Sequence, residues 1–474
     1  MIFLWLIIGL ALPTAIGWLL LSMLEWRTPV LSTAERCVCS ALLGLTFTMY
    51  MIFLGTITLG IPLSLRGMAG VQVALIALLA VLRALLFKRG FPRATPLPST
   101  VSKGRPRGII LAVLLCLLTW SAVKIAGGTF MLVSTPVYLD DTAKNWNMRG
   151  KQYFFTEKLW LLSPFEREGD TPTGIHSYPP SAPLAKTWLA NLAGEWDEGL
   201  VNTPHLFWLL SALALVFFAI RREAGITWAL AGIYLLSSLP LFLIHGTNAY
   251  ADVFLAAHIF AALWFLFCAL CTKDGSSVAS FLRLAGFAMA VLTFTKNEGF
   301  GLYFPPLLLF FGIVIALQIR RGLLSKRTAV TTIAIVLGLI AAILLPWLLF
   351  KWMHGLAFGN AKPITGLTFG WQEGVMISIF INTFFEGNWL LLFPLLLLLL
   401  AMQWRAAFRS PLALFTCYFL LLYCAQIPLF LFTELSYEAL MQTGYARGLI
   451  HLMPVVVTLA VILLQKLVQR TGSL

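Results

Sequence analysis

The chain has 474 residues, of which 60% are hydrophobic and 11% charged, with a mean hydropathy of +0.89. So few charges cannot clothe a soluble particle of this length, so the chain is read as an integral membrane protein. The formal net charge of +14 does not indicate a nucleic-acid partner, because the basic residues sit mostly in short segments between apolar runs.

Those runs are long enough to cross a hydrocarbon core of about 30 Å. The first, 1–24, has no basic leader and no small-residue cleavage site, and is read as a retained helix. Spans follow at 38–62, 69–87 and 108–127, and then a polar stretch at 128–202. Further spans are expected at 203–220, 226–245, 252–271, 283–296, 300–319, 328–350, 388–403, 410–431 and 448–466. The fold class is therefore an all-α polytopic membrane protein of about thirteen transmembrane helices, with a long first outer loop carrying interfacial helices. Three regions are expected: N-terminal helices with a basic loop (1–107), a core (108–350), and C-terminal helices (351–474).

Residues 88–107 hold six basic side chains, among them Arg93 and Arg105, and no acid, and are expected on the cytoplasmic side. Counting crossings places Arg221, Arg222, the basic residues of 320–327, Arg405, Arg409 and the 466–470 tail on that side too. The opposite face receives 128–202, the turns near 246–252 and 296–299, and the loops 351–387 and 432–447. Nine of the nineteen acids lie in 128–202, which is where chemistry is expected in so charge-poor a chain. Cys268 and Cys271 have CxxC spacing inside an apolar run without a second pair, and are read as buried apolar residues.

Five motifs on the outer face carry the functional reading. Asp140 and Asp141 follow a membrane exit and precede a helical stretch at 142–155. One acid could cap that helix, leaving the other as a base or metal ligand. His176-Ser177-Tyr178-Pro179-Pro180 ends one element and starts another, whose Leu184, Trp188, Leu189 and Leu192 share a face. An interfacial helix anchored by Trp188 is expected there. Asp252 closes a short turn at the mouth of a helix, as a cap or facing a polar cavity. Lys296 and Glu298 share a tight turn, either neutralising one another or presenting a cation to a lipid phosphate. Arg447 and His451 open the last helix, where Arg suits a bidentate phosphate contact.

In this order and on one face, these motifs resemble the type C (GT-C) membrane glycosyltransferase superfamily, which includes protein O-mannosyltransferases and the lipid A aminoarabinose transferase. Asp140 and Asp141 match the acid of the first outer loop. Tyr178-Pro179-Pro180 with Lys186 matches its Pro-Pro segment, and Asp252 matches the second acid. Lys296 is similar to a Thr-Lys motif, and Arg447 to a late cation. Relatives often carry His or Lys directly before the prolines, where this chain has Tyr178. Metal-binding relatives often carry two acids where this chain has Asp252.

The resemblance implies transfer of a sugar from a polyprenyl-phosphate donor to a glycan, lipid or protein acceptor, with inversion. The expected setting is a bacterial inner membrane, with the site facing the periplasm or exterior. Asp141 or Asp140 would be the base. Asp252 would orient the acceptor or a metal. Lys296, Arg447 and His451 would hold the donor phosphate. His176, Tyr178 and Glu298 would touch substrate. A divalent metal ion stays an open alternative. Rival readings are a transporter or lipid flippase, and a polysaccharide polymerase or ligase. Cysteines engineered into 160–175 should be labelled by an impermeant reagent from outside, and cysteines in 90–105 should not. The opposite pattern would reverse every side assignment.

Overall fold

The computed structural model describes residues 1–25, 28–86, 108–139, 141–162, 174–358 and 372–472. The basic stretch 88–107 and Asp140 lie outside them. The described chain is helical and has no strand.

In chain order the helices are α1 (Ile2–Leu24), α2 (Thr33–Leu59), α3 (Leu65–Leu86), α4 (Gly108–Ser134), α5 (Met148–Thr156), α6 (Ser181–Ala193), α7 (Glu198–Val201), α8 (Thr203–Ala224), α9 (Ile226–Ser238), α10 (Pro240–Gly246) and α11 (Asp252–Cys271). They continue as α12 (Gly275–Leu292), α13 (Phe304–Arg320), α14 (Lys326–Met353), α15 (Val375–Phe384), α16 (Leu392–Met402), α17 (Trp404–Arg409), α18 (Ala413–Leu431), α19 (Ser436–Leu440), α20 (Gly444–Ile450) and α21 (Met453–Thr471). Among the described residues, 11 helical segments are long and apolar enough to cross a membrane. Two bent pairs, α9 with α10 at 80° and α15 through α16 at 106°, raise the total to 13. This agrees with the hydropathy reading. Two starts lie earlier than expected: the bent span expected at 388–403 begins at Val375, and α12, expected at 283–296, is found at Gly275–Leu292. Asp274 caps its start by accepting from Ser277 N–H at 2.8 Å. Arg283 lies inside the helix because its guanidinium donates to the carbonyl of Leu24 at the end of α1.

The chain forms two compact units. The first comprises Met1–Leu97, Phe130–Ser211 and Asn248–Lys362, and the second Pro98–Thr129, Ala212–Thr247 and Pro363–Leu474. In the first, α1 and α2 form a hairpin whose backbones nearly touch. A Cβ on Gly17 would lie 2.1 Å from the Ser40 carbonyl oxygen, and one on Gly44 would lie 2.3 Å from that of Pro13. Small residues permit this approach, and close packing drives helix association where lipid is as apolar as Leu. Glu25, fully buried beyond α1, accepts from the backbone N–H groups of Val30 and Leu31 at 2.9 Å and pairs with Arg36. Every residue of α11 but its last is buried. Such a helix, apolar all round, belongs at the centre of a membrane bundle.

The helix expected after the prolines is present as α6, but Trp188 is no headgroup anchor. It is buried, and its indole N–H donates to the Gly9 carbonyl of α1 at 2.9 Å. In the second unit, α21 packs against α9, α16 and α18. A polar knot of Thr383, Tyr423 and Tyr445 joins α15, α18 and α20.

The α1–α2 crossing generates a stability test. Gly44→Val should lower the unfolding temperature of the detergent-solubilised protein, since overpacking costs about 1–3 kcal/mol. Gly70→Val, where nothing lies within 4 Å of a built Cβ, should leave it unchanged.

Candidate active site

Five chain segments bring polar residues to one end of the first unit. Asp252 is the first residue of α11, after the N-cap Ala251. Its carboxylate is fully buried and meets Lys296 Nζ at 2.8 Å. Lys296 also lies 3.6 Å from Glu298. The turn carrying these two is tight, because a Cβ on Gly299 would lie 2.7 Å from the Leu292 carbonyl oxygen. Glycine at 299 therefore lets the chain fold back and point Lys296 at the start of α11. Asp252, Lys296 and Glu298, separate motifs in the sequence, form one group.

The next residue, Asn297, links two further segments. Its Oδ1 accepts from Lys351 Nζ at 3.0 Å, near the end of α14, and its Nδ2 donates to Ser177 Oγ at 3.2 Å. Ser177 ends a 3₁₀ turn, Gly174–Ser177, just before Pro179 and Pro180, which start α6. Arg149 of α5 donates to the Tyr178 carbonyl at 2.9 Å, to Tyr153 Oη at 3.2 Å and to Asn145 Oδ1 at 3.3 Å. Lys351 and Arg149 are 2% and 1% exposed. Their hydrogen-bond partners are neutral oxygens, and neither has an acid within ion-pair distance among the described residues. His176 is buried in the same turn, and neither ring nitrogen has a partner among the described residues. Burial, aided by the Arg149 charge, pushes its pKa down to about 3, so the ring is neutral.

Asp141 precedes a π-helical turn, Thr142–Asn147, and its side chain caps nothing. It is half-buried and has polar company. On the far side of that turn, Lys186 of α6 is fully buried and donates to Asn147 Oδ1 at 2.5 Å and Asn202 Oδ1 at 2.6 Å. Burial lowers its ammonium well below the usual lysine range, against the attraction of Glu198.

The structure thus gathers Asp252, Lys296, Glu298, His176 and Tyr178 in the first unit, with Asp141 beside Thr142 of the adjoining turn. Arg447 is half-buried on α20 of the second unit, and His451 is buried just after it. Sequence reading missed Arg149 and Lys351 as site residues. Their signal was a basic residue on the face where acids concentrate.

Among the described residues no three His, Cys, Asp or Glu side chains converge. Asp252 is held by an ammonium, and His176 lies in the field of Arg149.

No family model and no curated protein matches this chain. Solved structures of ArnT match in fold. One is ArnT from Cupriavidus metallidurans in the apo state, at 16% identity and a TM-score of 0.52, covering 77% of this chain and 62% of that one. Another is ArnT from the same organism bound to undecaprenyl phosphate, at 15% identity and 0.53, covering 76% and 61%. The chain therefore spans about three-fifths of the length of these neighbours. It has an ArnT-like polytopic fold.

The buried neutral imidazole generates a pH test. An unfolded His titrates near 6.5, and His176 in the fold only near 3. The unfolded state therefore takes up the proton first, and stability falls as pH drops from about 6.5 toward 3. Chemical denaturation in detergent at pH 7 and pH 4.5 should show a smaller acid loss for His176→Gln than for the unsubstituted protein. Equal losses would place the ring in a solvated setting.

Proposed function

We propose that the chain is a membrane glycosyltransferase that moves a sugar from a polyprenyl-phosphate carrier to an acceptor hydroxyl. One observation carries the reading: Arg149, Lys296 and Lys351 are all buried at one end of the first unit, where Asp252 is the fully buried acid among the described residues. Burying charge without a counter-charge is costly. A site with a surplus of buried cations is built for an anion. A lipid phosphate supplies one, and an ArnT of similar fold binds undecaprenyl phosphate.

Lys296 is engaged by Asp252. Arg149 and Lys351, with neutral partners only, are the groups that take the donor phosphate, Arg149 through its guanidinium fork. The Asp252–Lys296 pair fixes the turn that carries Asn297, and so orients Lys351. Asp141, with Asp140 beside it in sequence, accepts the proton of the acceptor hydroxyl. That oxygen attacks the anomeric carbon as the bond to the phosphate oxygen breaks. The electron pair leaves on polyprenyl phosphate, whose extra charge the cations stabilise. A single displacement inverts the anomeric centre. The basic loops support a periplasmic or exterior location for this end, in a bacterial inner membrane. The donor-phosphate role of Arg447 and His451 rests on the sequence motif.

The bent pairs α9–α10 and α15–α16 suit a transporter, whose broken helices bind ions. Their breaks fall at Leu239, beside which Ser238 Oγ accepts from Lys124 Nζ at 2.9 Å, and in the apolar run Leu390–Leu391, however, and an ammonium group repels a coupling cation instead of coordinating it.

The test uses the full chain in nanodiscs, supplied with polyprenyl-phosphate sugars extracted from bacterial membranes together with the soluble and lipid fractions as acceptors. Release of free polyprenyl phosphate is read by mass spectrometry. Asp141→Asn should lower release by about 10²–10⁴-fold, with the unfolding temperature kept. Arg149→Gln and Lys351→Met should each weaken binding of added undecaprenyl phosphate. Undiminished release by Asp141→Asn would remove the base, and undiminished lipid binding by both cation variants would remove the phosphate site.

A further inference from the structure

A second polar site lies on the other side of the turn that follows Asp141. Lys186 Nζ donates to the Oδ1 atoms of both Asn147 and Asn202. Each carboxamide has its oxygen drawn to the lysine, so each must present its NH₂ elsewhere. Neither Nδ2 has a hydrogen-bond partner among the described residues, and both side chains are buried. A buried donor without an acceptor costs about 1–3 kcal/mol, so the arrangement calls for an oxygen from outside the chain.

Asn202 also lines a small pocket beneath the 135–139 strap, together with Thr142 and Asn248. Glu198 pins the strap by accepting from Val137 N–H at 3.0 Å. Thr142 Oγ1 spends its proton on the Leu139 carbonyl at 2.6 Å, which leaves its oxygen lone pairs as acceptors. The pocket is therefore lined by one side chain with an unused amide donor, Asn202, and one with unused hydroxyl lone pairs, Thr142. It has room for a water-sized group. A hydroxyl fits both, since it accepts and donates, whereas a phosphate or carboxylate oxygen has no proton for Thr142.

We propose that this pocket binds one hydroxyl edge of a sugar, held by the Asn202 amide that Lys186 orients. The inference rests on the glycosyltransferase reading above. It separates the site into a cationic side for phosphate, at Arg149 and Lys351, and an amide side for carbohydrate. Lys186 is then a positioning residue. The sugar is either that of the donor or that of the acceptor.

The experiment measures binding to the full chain in nanodiscs. The probes are bare undecaprenyl phosphate, undecaprenyl phosphates bearing glucose, galactose or mannose, and the free methyl glycosides of these sugars. The proteins are the unsubstituted chain, Asn202→Asp and Asn202→Ser. Both variants lose the NH₂; Asp keeps an oxygen at the Oδ1 position for Lys186, and the uncharged Ser guards against misfolding from the added charge. At least one sugar-bearing probe should bind both variants about tenfold more weakly, with bare undecaprenyl phosphate bound as before. An effect on the lipid-linked probes assigns the pocket to the donor sugar, and one on the free glycosides to the acceptor. Sugar probes that bind all three proteins alike, or bind none, would overturn the proposal. So would a loss of bare-lipid binding equal to that of the sugar probes. Failure of the unsubstituted chain to bind bare undecaprenyl phosphate would instead refute the glycosyltransferase reading.

Discussion

Positive charge buried without matching negative charge is the constraint that organises the first unit. Arg149, Lys296 and Lys351 have almost no exposed surface, yet of these, among the described residues, only Lys296 has a carboxylate within ion-pair distance. The other two rest on amide, carbonyl and phenol oxygens. Such partners hold a cation in place without cancelling it. The result is a preorganised positive field that an incoming phosphate would not have to assemble.

The fold around this field is rigid where the field needs support. Prolines 179 and 180 fix the start of α6, which places Lys186 two turns from the Ser177 contact with Asn297. Gly299 closes the turn that aims Lys296 at Asp252. The N-terminal hairpin, locked by Gly17 and Gly44, buries Trp188 on α6. The first helices thus brace the element that carries a site lysine, which gives them a physical role in the first unit.

Much of the fold was legible because hydrocarbon thickness imposes a length on every crossing. The start of α11 at Asp252 coincides with the hydropathy boundary. Where the reading went astray, one pattern had two physical meanings. The stripe of Leu184, Trp188, Leu189 and Leu192 reads the same for a helix lying on lipid headgroups and for one packed on α1. The start of α12 was misplaced because Arg283 looks like a span boundary until its partner, the Leu24 carbonyl, is known. The site was legible as motifs and not as contacts. Asp252 and Lys296 are 44 residues apart, and nothing local announces their pairing. Lys351 is one basic residue after an apolar run, and only the fold brings it to Asn297. Asn147 and Asn202 carry no sequence signal, since their importance comes from the lysine between them.

The proposed role of Arg149 and Lys351 is decided by where a bound lipid phosphate sits. A cryo-electron microscopy structure of the full chain in nanodiscs with undecaprenyl phosphate measures this directly. The phosphate should lie within hydrogen-bond distance of the Arg149 guanidinium and the Lys351 ammonium, with the Asp252–Lys296 pair intact. A phosphate bound elsewhere, with Arg149 still on the Tyr178 carbonyl and Lys351 still on Asn297 alone, would contradict it.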